Sequence, residues 1–327
     1  YEPRLQPHGK RNWTPFVAPT PVDALFLDLP LMSGTEVPQA PHVAALSSPW
    51  PGTVAVWSSV ADDGYTLNSS LDAPAMIGTT ESELIAAPPG LWDRGPALRV
   101  RFETGALASM AEIAVLSGAN AAAIGDGGSD QWELFQFASA TLVAPKTYDL
   151  SLRLRGQSGS DGLMPAAWPV GSTVVIINAA LRQIDLPLSQ RGLARHYRIG
   201  AASRGYDGAE VIHQVVAFDG NGLRPYPVAH LRSQSAGGDT TATWIRRTRI
   251  DGDTWQSLEV PLGEAAESYQ IRIEQSGLIR REATVTSPQF TYTAAHRTAD
   301  GVIGPYDIAV AQISQTYGPG PFRKITV

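Results

Sequence analysis

YDIAVAQIS (Tyr306–Ser314) carries the two-residue alternation of a half-buried β-strand, and the runs around it repeat the pattern. Working back from it, FTYTAA (Phe290–Ala295), SYQIRIEQ (Ser268–Gln275), TATWIRRTRI (Thr241–Ile250) and AHLRSQ (Ala229–Gln234) each read as a strand, and FRKITV (Phe322–Val327) closes the series. Six short strands in roughly 100 residues, separated by turn residues, is the spacing of a two-sheet sandwich. The stretch after Phe218 breaks the composition: Asp219–Gly222 forms a tight loop, and Pro225 and Pro227 stiffen a crossing. This places a domain boundary near residue 224 and assigns 225–327 to one domain.

Upstream, the same reasoning finds TVAVWSSV (Thr53–Val60) and YTLNSSL (Tyr65–Leu71) around an Asp62-Asp63-Gly64 turn, then ALRVRFE (Ala97–Glu103). QWELFQFASATLVA (Gln131–Ala144), YDLSLRLRG (Tyr148–Gly156), STVVIIN (Ser172–Asn178), ARHYRIGAAS (Ala194–Ser203) and VIHQVVAF (Val211–Phe218) follow. Residues 51–224 therefore read as one or more β-rich domains. ALASMAEIAVLSGAN (Ala106–Asn120) fits a helical stripe or a buried strand, and EIAVLSG is expected to be strand. Residues 1–50 hold prolines at 3, 7, 15, 19, 21, 30, 38, 41 and 49, which predicts an extended linker that docks through the apolar insert Ala24–Met32, with one edge strand ending at Pro30. The expected fold class is all-β, multi-domain, with β-sandwich domains.

The 327 residues suffice for two or three domains, and 31 Gly with 25 Pro at only 17 % charged residues favour short strands and many turns. A net charge of −6 with scattered Lys and Arg gives no basic face for a phosphate backbone, so sequence-specific nucleic acid is not an expected partner. The absence of cysteine removes disulfides, thiolate metal sites and cysteine nucleophiles together. No apolar run is long enough for a transmembrane helix and no signal-peptide pattern opens the chain. It begins at Tyr1, not Met, so further sequence upstream is expected.

The last hundred residues resemble a fibronectin type III domain, with PVAHLRS as first strand, Trp244 in the second, then YQIRIE, YDIAVAQIS and the closing FRKITV. Six ordered phrases resemble the C-terminal region of the large tail-tip hub proteins of gene transfer agents and related long-tailed phages. They are PHVAALSSPWPGTVAVW (Pro41–Trp57), AEIAVLSGANAAAIG (Ala111–Gly125), WELFQFASATLVAPKTYDLSLRLRGQSGS (Trp132–Ser160), LARHYRIGAASRG (Leu193–Gly205), WIRRTRIDGD (Trp244–Asp253) and VAQISQTYGPGPFRKITV (Val310–Val327). The resemblance implies a structural baseplate component at the distal tail tip of a phage-like particle, made in the bacterial cytoplasm. It further implies a homotrimer around the tail axis that contacts other tail-tip proteins and a host surface receptor or glycan and gates the channel through which DNA leaves. In that family a glycoside-hydrolase-like barrel lies upstream, so any cell-wall cleavage is expected outside this chain, and no cofactor is implied.

The chemistry-bearing residues point the same way. Histidines stand at 8, 42, 196, 213, 230 and 296, with no pair at i,i+2 or i,i+4, so no metal site is expected, and His196 and His213 read as polar strand residues. Asp126–Asp130 and Asp251–Asp253 read as turns, not cation loops. Glu81, Glu83, Asp93, Glu103, Glu112 and Glu133 show no recognisable pairing for glycoside hydrolysis, and Gly156-Gln-Ser158-Gly159-Ser160 fails the nucleophile-elbow pattern at its last position and reads as a glycine-rich loop. No catalytic residue is expected. Arg246, Arg247 and Arg249 read as strand residues whose stems cover apolar surface, with a subunit contact as the alternative. The eight tryptophans read mainly as core or interface plugs, and Trp50 and Trp168, each beside proline, are the candidates for glycan contact. The small-residue run Ala106–Gly125 is expected near a threefold axis, where Trp in place of Ala121 or Ala123 would disturb assembly. Two rival functions fit the same residues: a carbohydrate-active module acting on cell-wall glycan, and a surface adhesin unrelated to phages.

Overall fold

The computed structural model describes residues 21–250 and 260–327. Trp13, Trp255, His8, Asp251, Asp253 and the prolines at 3, 7, 15 and 19 lie outside the described residues. Among the described residues every strand pairing is antiparallel, and these residues divide into three β units with separate cores.

The first unit opens with β1 (Asp23–Leu27) and β2 (His42–Leu46), then β3 (Val54–Ser59) and β4 (Thr66–Leu71). β1 is an edge strand, as expected, but the segment around it is more than a docked linker. All five residues of β2 are buried, because the sheet is covered on both faces. Val43 and Ala45 pack into the core shared with β3, while Ala44 faces a second apolar layer containing Ala123, Trp132 and Val175. An alternating strand turns one face to water; a strand apolar at every position belongs between two layers.

The chain then leaves this unit to build a closed barrel. Its strands are β5 (Ile77–Thr80), the two-residue pieces β6 (Leu84–Ile85) and β7 (Trp92–Asp93), β8 (Leu98–Phe102), β9 (Ala121–Gly125), β10 (Trp132–Ala144), β11 (Thr147–Gln157), the short β12 (Ala167–Trp168) and β13 (Thr173–Ile176). Pairing runs β10-β9-β13-β5-β8-β11, and β11 pairs back onto β10, so six strands close on themselves and β7 attaches outside β11. Closure removes the exposed edges that an open sheet would present. Leu98, Val100, Phe102, Ile124, Phe135, Phe137, Tyr148 and Leu150 fill the interior. The β-rich stretch 51–224 thus holds part of a sandwich with a barrel inserted between β4 and β14.

The EIAVLSG segment is helical, not strand: α1 spans Glu112–Leu116. Only Val115 of that helix is buried, whereas Ile113 and Leu116 project outward, a pattern a buried strand cannot give. Alanine-rich flanks favour the turn, and at the helix end the Gln136 side chain donates to the Ala119 carbonyl (2.9 Å) and to that of Val115 (2.6 Å), which also accepts from the Gly118 amide.

β14 (Arg182–Gln183) returns to pair with β2, and β15 (Arg195–Ala201) and β16 (Ile212–Val216) complete a second sheet of order β16-β15-β3-β4. This sheet packs on β1-β2-β14 through Phe26, Val54, Val56, Tyr197, Ile199 and Phe218. Core membership changes units between Phe218 and Val228.

The last unit is built from β17 (Ala229–Ala236), β18 (Asp239–Ile245), β19 (Tyr269–Gln275), β20 (Leu278–Val285), β21 (Gln289–Tyr292), α2 (Ala294–Ala299), β22 (Asp307–Ser314), the short β23 (Gly318–Pro319) and β24 (Arg323–Thr326). Its sheets are β17-β18-β21 and β20-β19-β22, with β24 and the two-residue β23 both pairing to β22; counting β23 and β24 as one interrupted edge gives the three-plus-four arrangement of a fibronectin type III sandwich. Trp244, Tyr269, Ile271, Ile273, Tyr292, Ile308 and Val310 form its core. Two boundaries differ from expectation. The TATWIRRTRI strand stops at Ile245, and TAA after β21 starts α2, where Thr293 caps the helix by accepting from the His296 amide.

Candidate functional site: the joint between the three units

The loop after β11, Gln157–Gly162, leads from the barrel straight onto the fibronectin-like unit. Gly159 holds a left-handed backbone (φ +76°), and a Cβ there would lie 2.2 Å from the Tyr226 ring. A Cβ on Gly162 would lie 2.4 Å from Pro321. The glycine-rich loop is therefore there for close approach, not for nucleophile geometry. At its tip Asp161, with a side chain only 1 % exposed, accepts from Arg247 Nη1 at 2.8 Å and Arg323 Nη2 at 2.5 Å. Arg247 also lies over the Tyr226 ring, 5.3 Å from its centroid. One barrel carboxylate thus gathers two guanidinium groups from the last unit, a charge-assisted arrangement about twice as strong as a neutral hydrogen bond.

A second contact ties the last unit to the first sandwich. Asn221 donates from Nδ2 to the Asp28 carbonyl (2.8 Å) and accepts from the Tyr317 hydroxyl (3.0 Å). Arg191 donates to the carbonyl of Thr316 at 2.8 Å. Asp28 itself accepts from the amides of Gly220 (2.8 Å) and Asn221 (2.7 Å). Burial pushes its carboxyl up to about 6, against the pull of those two amides.

Because that folded value lies above the unfolded 3.8, the native state holds the Asp28 proton more tightly. Its contribution is complete below the unfolded value and fades as pH rises through about 6. From pH 5 to pH 7 the wild type should lose about 1 kcal/mol relative to Asp28→Asn, read from urea denaturation of both at each pH. Parallel stability curves for the two proteins would contradict this.

The other expected site residues fall in different places. Arg249 joins the same region, donating to Glu264 (3.0 Å) and to the Gly222 carbonyl (3.4 Å), while Arg246 donates to the carbonyls of Val260 and Pro261. Arg247 thus links two units within one chain, and Arg249 ties the crossing segment to the last unit, both beyond the end of β18 rather than on its faces. Ala123 is fully buried against Trp132 and Val175, so a larger residue there would disrupt this chain's own core before any neighbour was felt; Ala121 beside it is half-buried. Asp126 is a turn residue whose carboxylate accepts from the Gly128 amide at 2.8 Å.

Trp168 is a core residue, 6 % exposed, and offers no free ring face to a sugar. Its Nε1 donates to Glu133 at 2.7 Å. Glu133 stands at the centre of a buried polar plug: Arg155 donates to it twice (2.6 and 2.8 Å), and the Gly156 amide once at 3.1 Å. Arg153 donates to Asp93 at 2.8 and 3.0 Å. Although burial opposes ionisation of Asp93, the Gly95 amide and Arg153 hold its carboxyl below the usual carboxylate range. Both arginines reach the interior because Leu152 adopts a left-handed backbone (φ +53°), which resets the strand's alternation after Tyr148 and Leu150. Trp50 remains half-buried at the rim of the first sandwich, its Nε1 donating to the Gly52 carbonyl at 2.9 Å.

Among the described residues no helix is long and apolar enough to cross a membrane. No curated protein matches the sequence. Among solved structures, domains d3–d4 of the rat CD45 extracellular region align with 36 % of this chain and 55 % of theirs, at 11 % identity and a TM-score of 0.24. The chicken interferon gamma receptor alpha chain aligns with 78 % of this chain and 97 % of its own, at 8 % identity and a TM-score of 0.24. The model of the Rcc01698-like, C-terminal family matches residues 75–175, a span that takes in the barrel strands β5 to β12 and most of β13.

Proposed function

We propose that the chain is a structural component of the distal tail tip of a phage-like particle, where, as a homotrimer among other tip proteins, it contributes to host-cell attachment and to gating of the channel for DNA. The observation that carries this reading is the match of the Rcc01698-like, C-terminal family to the barrel, residues 75–175. Two of the six phrases that resemble tail-tip hub proteins, Ala111–Gly125 and Trp132–Ser160, fall within it. The physical build of the chain is in keeping with such a role. Its buried charges are spent on holding β units together: Asp161 on two arginines across the joint, Glu133 and Asp93 on Arg155 and Arg153 within the barrel. Carboxylates neutralised in this way favour a load-bearing role over glycan cleavage, which needs one acid free to donate a proton and another free to attack or activate water.

The test is direct. Gold-labelled antibody raised against residues 225–327 should mark one end of the tails of particles released by cells that encode this chain. Fab fragments of the same antibody should reduce particle adsorption to host cells. Label distributed along the tail, or found only on material free of particles, would refute the proposal.

A further inference from the structure

Two histidines that lie 17 residues apart in sequence meet on the outward face of the sheet β16-β15-β3-β4. β15 pairs with β16 so that His196 opposes Val215 and Arg198 opposes His213. His196 and His213 are therefore diagonal neighbours on one face, within reach of each other. Their rings stack at 12° with centroids 5.2 Å apart, and His196 Nδ1 lies 3.0 Å from His213 Nε2. Asp62, from the turn that follows β3, leans over the same face, its Oδ1 3.7 Å from His213 Nε2. One ligand atom from each of the three side chains lies within 4.8 Å of the others.

We propose that Asp62, His196 and His213 form a binding site for a divalent first-row transition-metal ion, with Zn²⁺ as its probe. Two imidazoles and one carboxylate are a donor set suited to such ions, and three protein ligands leave positions open to water. With metal–nitrogen bonds of about 2.0–2.1 Å, two imidazoles on a tetrahedral ion stand about 3.3 Å apart. At 3.0 Å the two ring nitrogens share a hydrogen bond, which a bound ion would replace as the rings open and turn toward it. The site lies on the surface, with Asp62 and His213 exposed, so an ion has an entry path.

The carboxylate is already held in place. Tyr65 donates its hydroxyl to Asp62 and Arg198 Nη2 donates at 2.9 Å, and these two hydrogen bonds, Tyr65's first, keep the carboxyl below its usual range. Arg198 in turn sits over the Tyr65 ring, 5.0 Å from its centroid. Partners of this kind orient a metal ligand, as outer-shell groups do around known sites, while the guanidinium's positive charge limits affinity. Bound metal would pin the β3–β4 turn to β15 and β16, which belong to the other half of the same sheet.

Chelator-treated protein titrated with ZnCl₂ in a calorimeter should bind one equivalent, and its thermal midpoint should rise with Zn²⁺ concentration. His196→Ala and His213→Ala should each weaken binding by more than about tenfold and abolish the rise, and Asp62→Asn should weaken binding less, since the amide oxygen still coordinates. Because Asp62 and His213 are exposed and His196 is half-buried on the outward face of the sheet, the variants should keep the wild-type circular dichroism spectrum. Binding that survives in the His196→Ala/His213→Ala protein, or wild type that takes up no Zn²⁺, would overturn the assignment.

Discussion

Replacing Glu133 with alanine is expected to cost about 3–5 kcal/mol, enough to threaten the barrel outright. The side chain is fully buried, and its removal would leave the Arg155 guanidinium with only the Ile85 carbonyl and, 3.7 Å away, the Asp93 carboxylate already paired to Arg153, and would leave the Trp168 indole N–H and the Gly156 amide without their acceptor. Water cannot readily take its place, since Arg155 has no exposed side-chain surface. The cost of an orphaned buried charge exceeds what the ion pair contributes relative to apolar packing, which leads to a second, sharper expectation. The double variant Glu133→Leu/Arg155→Leu should recover much of the loss, because no charge is then left behind. Urea denaturation of the wild type and both variants, followed by tryptophan emission, separates the two effects. A Glu133→Ala protein less than about 1 kcal/mol below wild type would show that the plug is wetter or more adaptable than its geometry implies.

The plug also marks where the sequence stops being informative. Six of the strands in the last unit were legible because each alternates or is bounded by turn residues, and the fibronectin-like order followed from them. The closure of the barrel was not, since it depends on β13 pairing with both β9 and β5 and on β8 pairing with β11, long-range choices that leave no local trace in STVVIIN or ALRVRFE. The two-sided burial of β2 was masked by the prolines around it, which suggested a linker, although the apolar run VAAL (Val43–Leu46) carried the signal. Arg153 and Arg155 alternate with Leu152 and Leu154, so the pattern alone sends either pair inward, and the left-handed Leu152 decides. The joint was half visible: the glycine-rich loop was recognised as a loop, but its partners Arg247 and Arg323 lie 86 and 162 residues from Asp161, respectively. The same limit hid the meeting of His196 and His213, because spacing rules register only neighbours along a helix or strand and this pair is created by register between two strands.

Loss of the Asp161 carboxylate should uncouple the fibronectin-like unit from the barrel. In Asp161→Ala, Arg247 and Arg323 would lose their common acceptor, yet both are partly exposed, at 28 % and 39 % of their side chains, so water takes over much of their solvation. The penalty should therefore be smaller than for Glu133, about 2 kcal/mol, and should fall on the joint and not on either core. Gly162→Val attacks the same contact by shape, since even its Cβ would lie 2.4 Å from Pro321 and the two units would have to separate. Calorimetry of either variant should show the last unit melting apart from the rest, with protease cutting enhanced near Arg224–Pro227, where the chain crosses between cores. The contacts to the first sandwich, Tyr317 to Asn221 and Arg191 to the Thr316 carbonyl, remain in both variants, so uncoupling should go further when Tyr317→Phe and Arg191→Ala are added. If Asp161→Ala and Gly162→Val both melt as the wild type does, the joint is carried by the Asn221 side alone, and the glycine loop contributes closeness without strength.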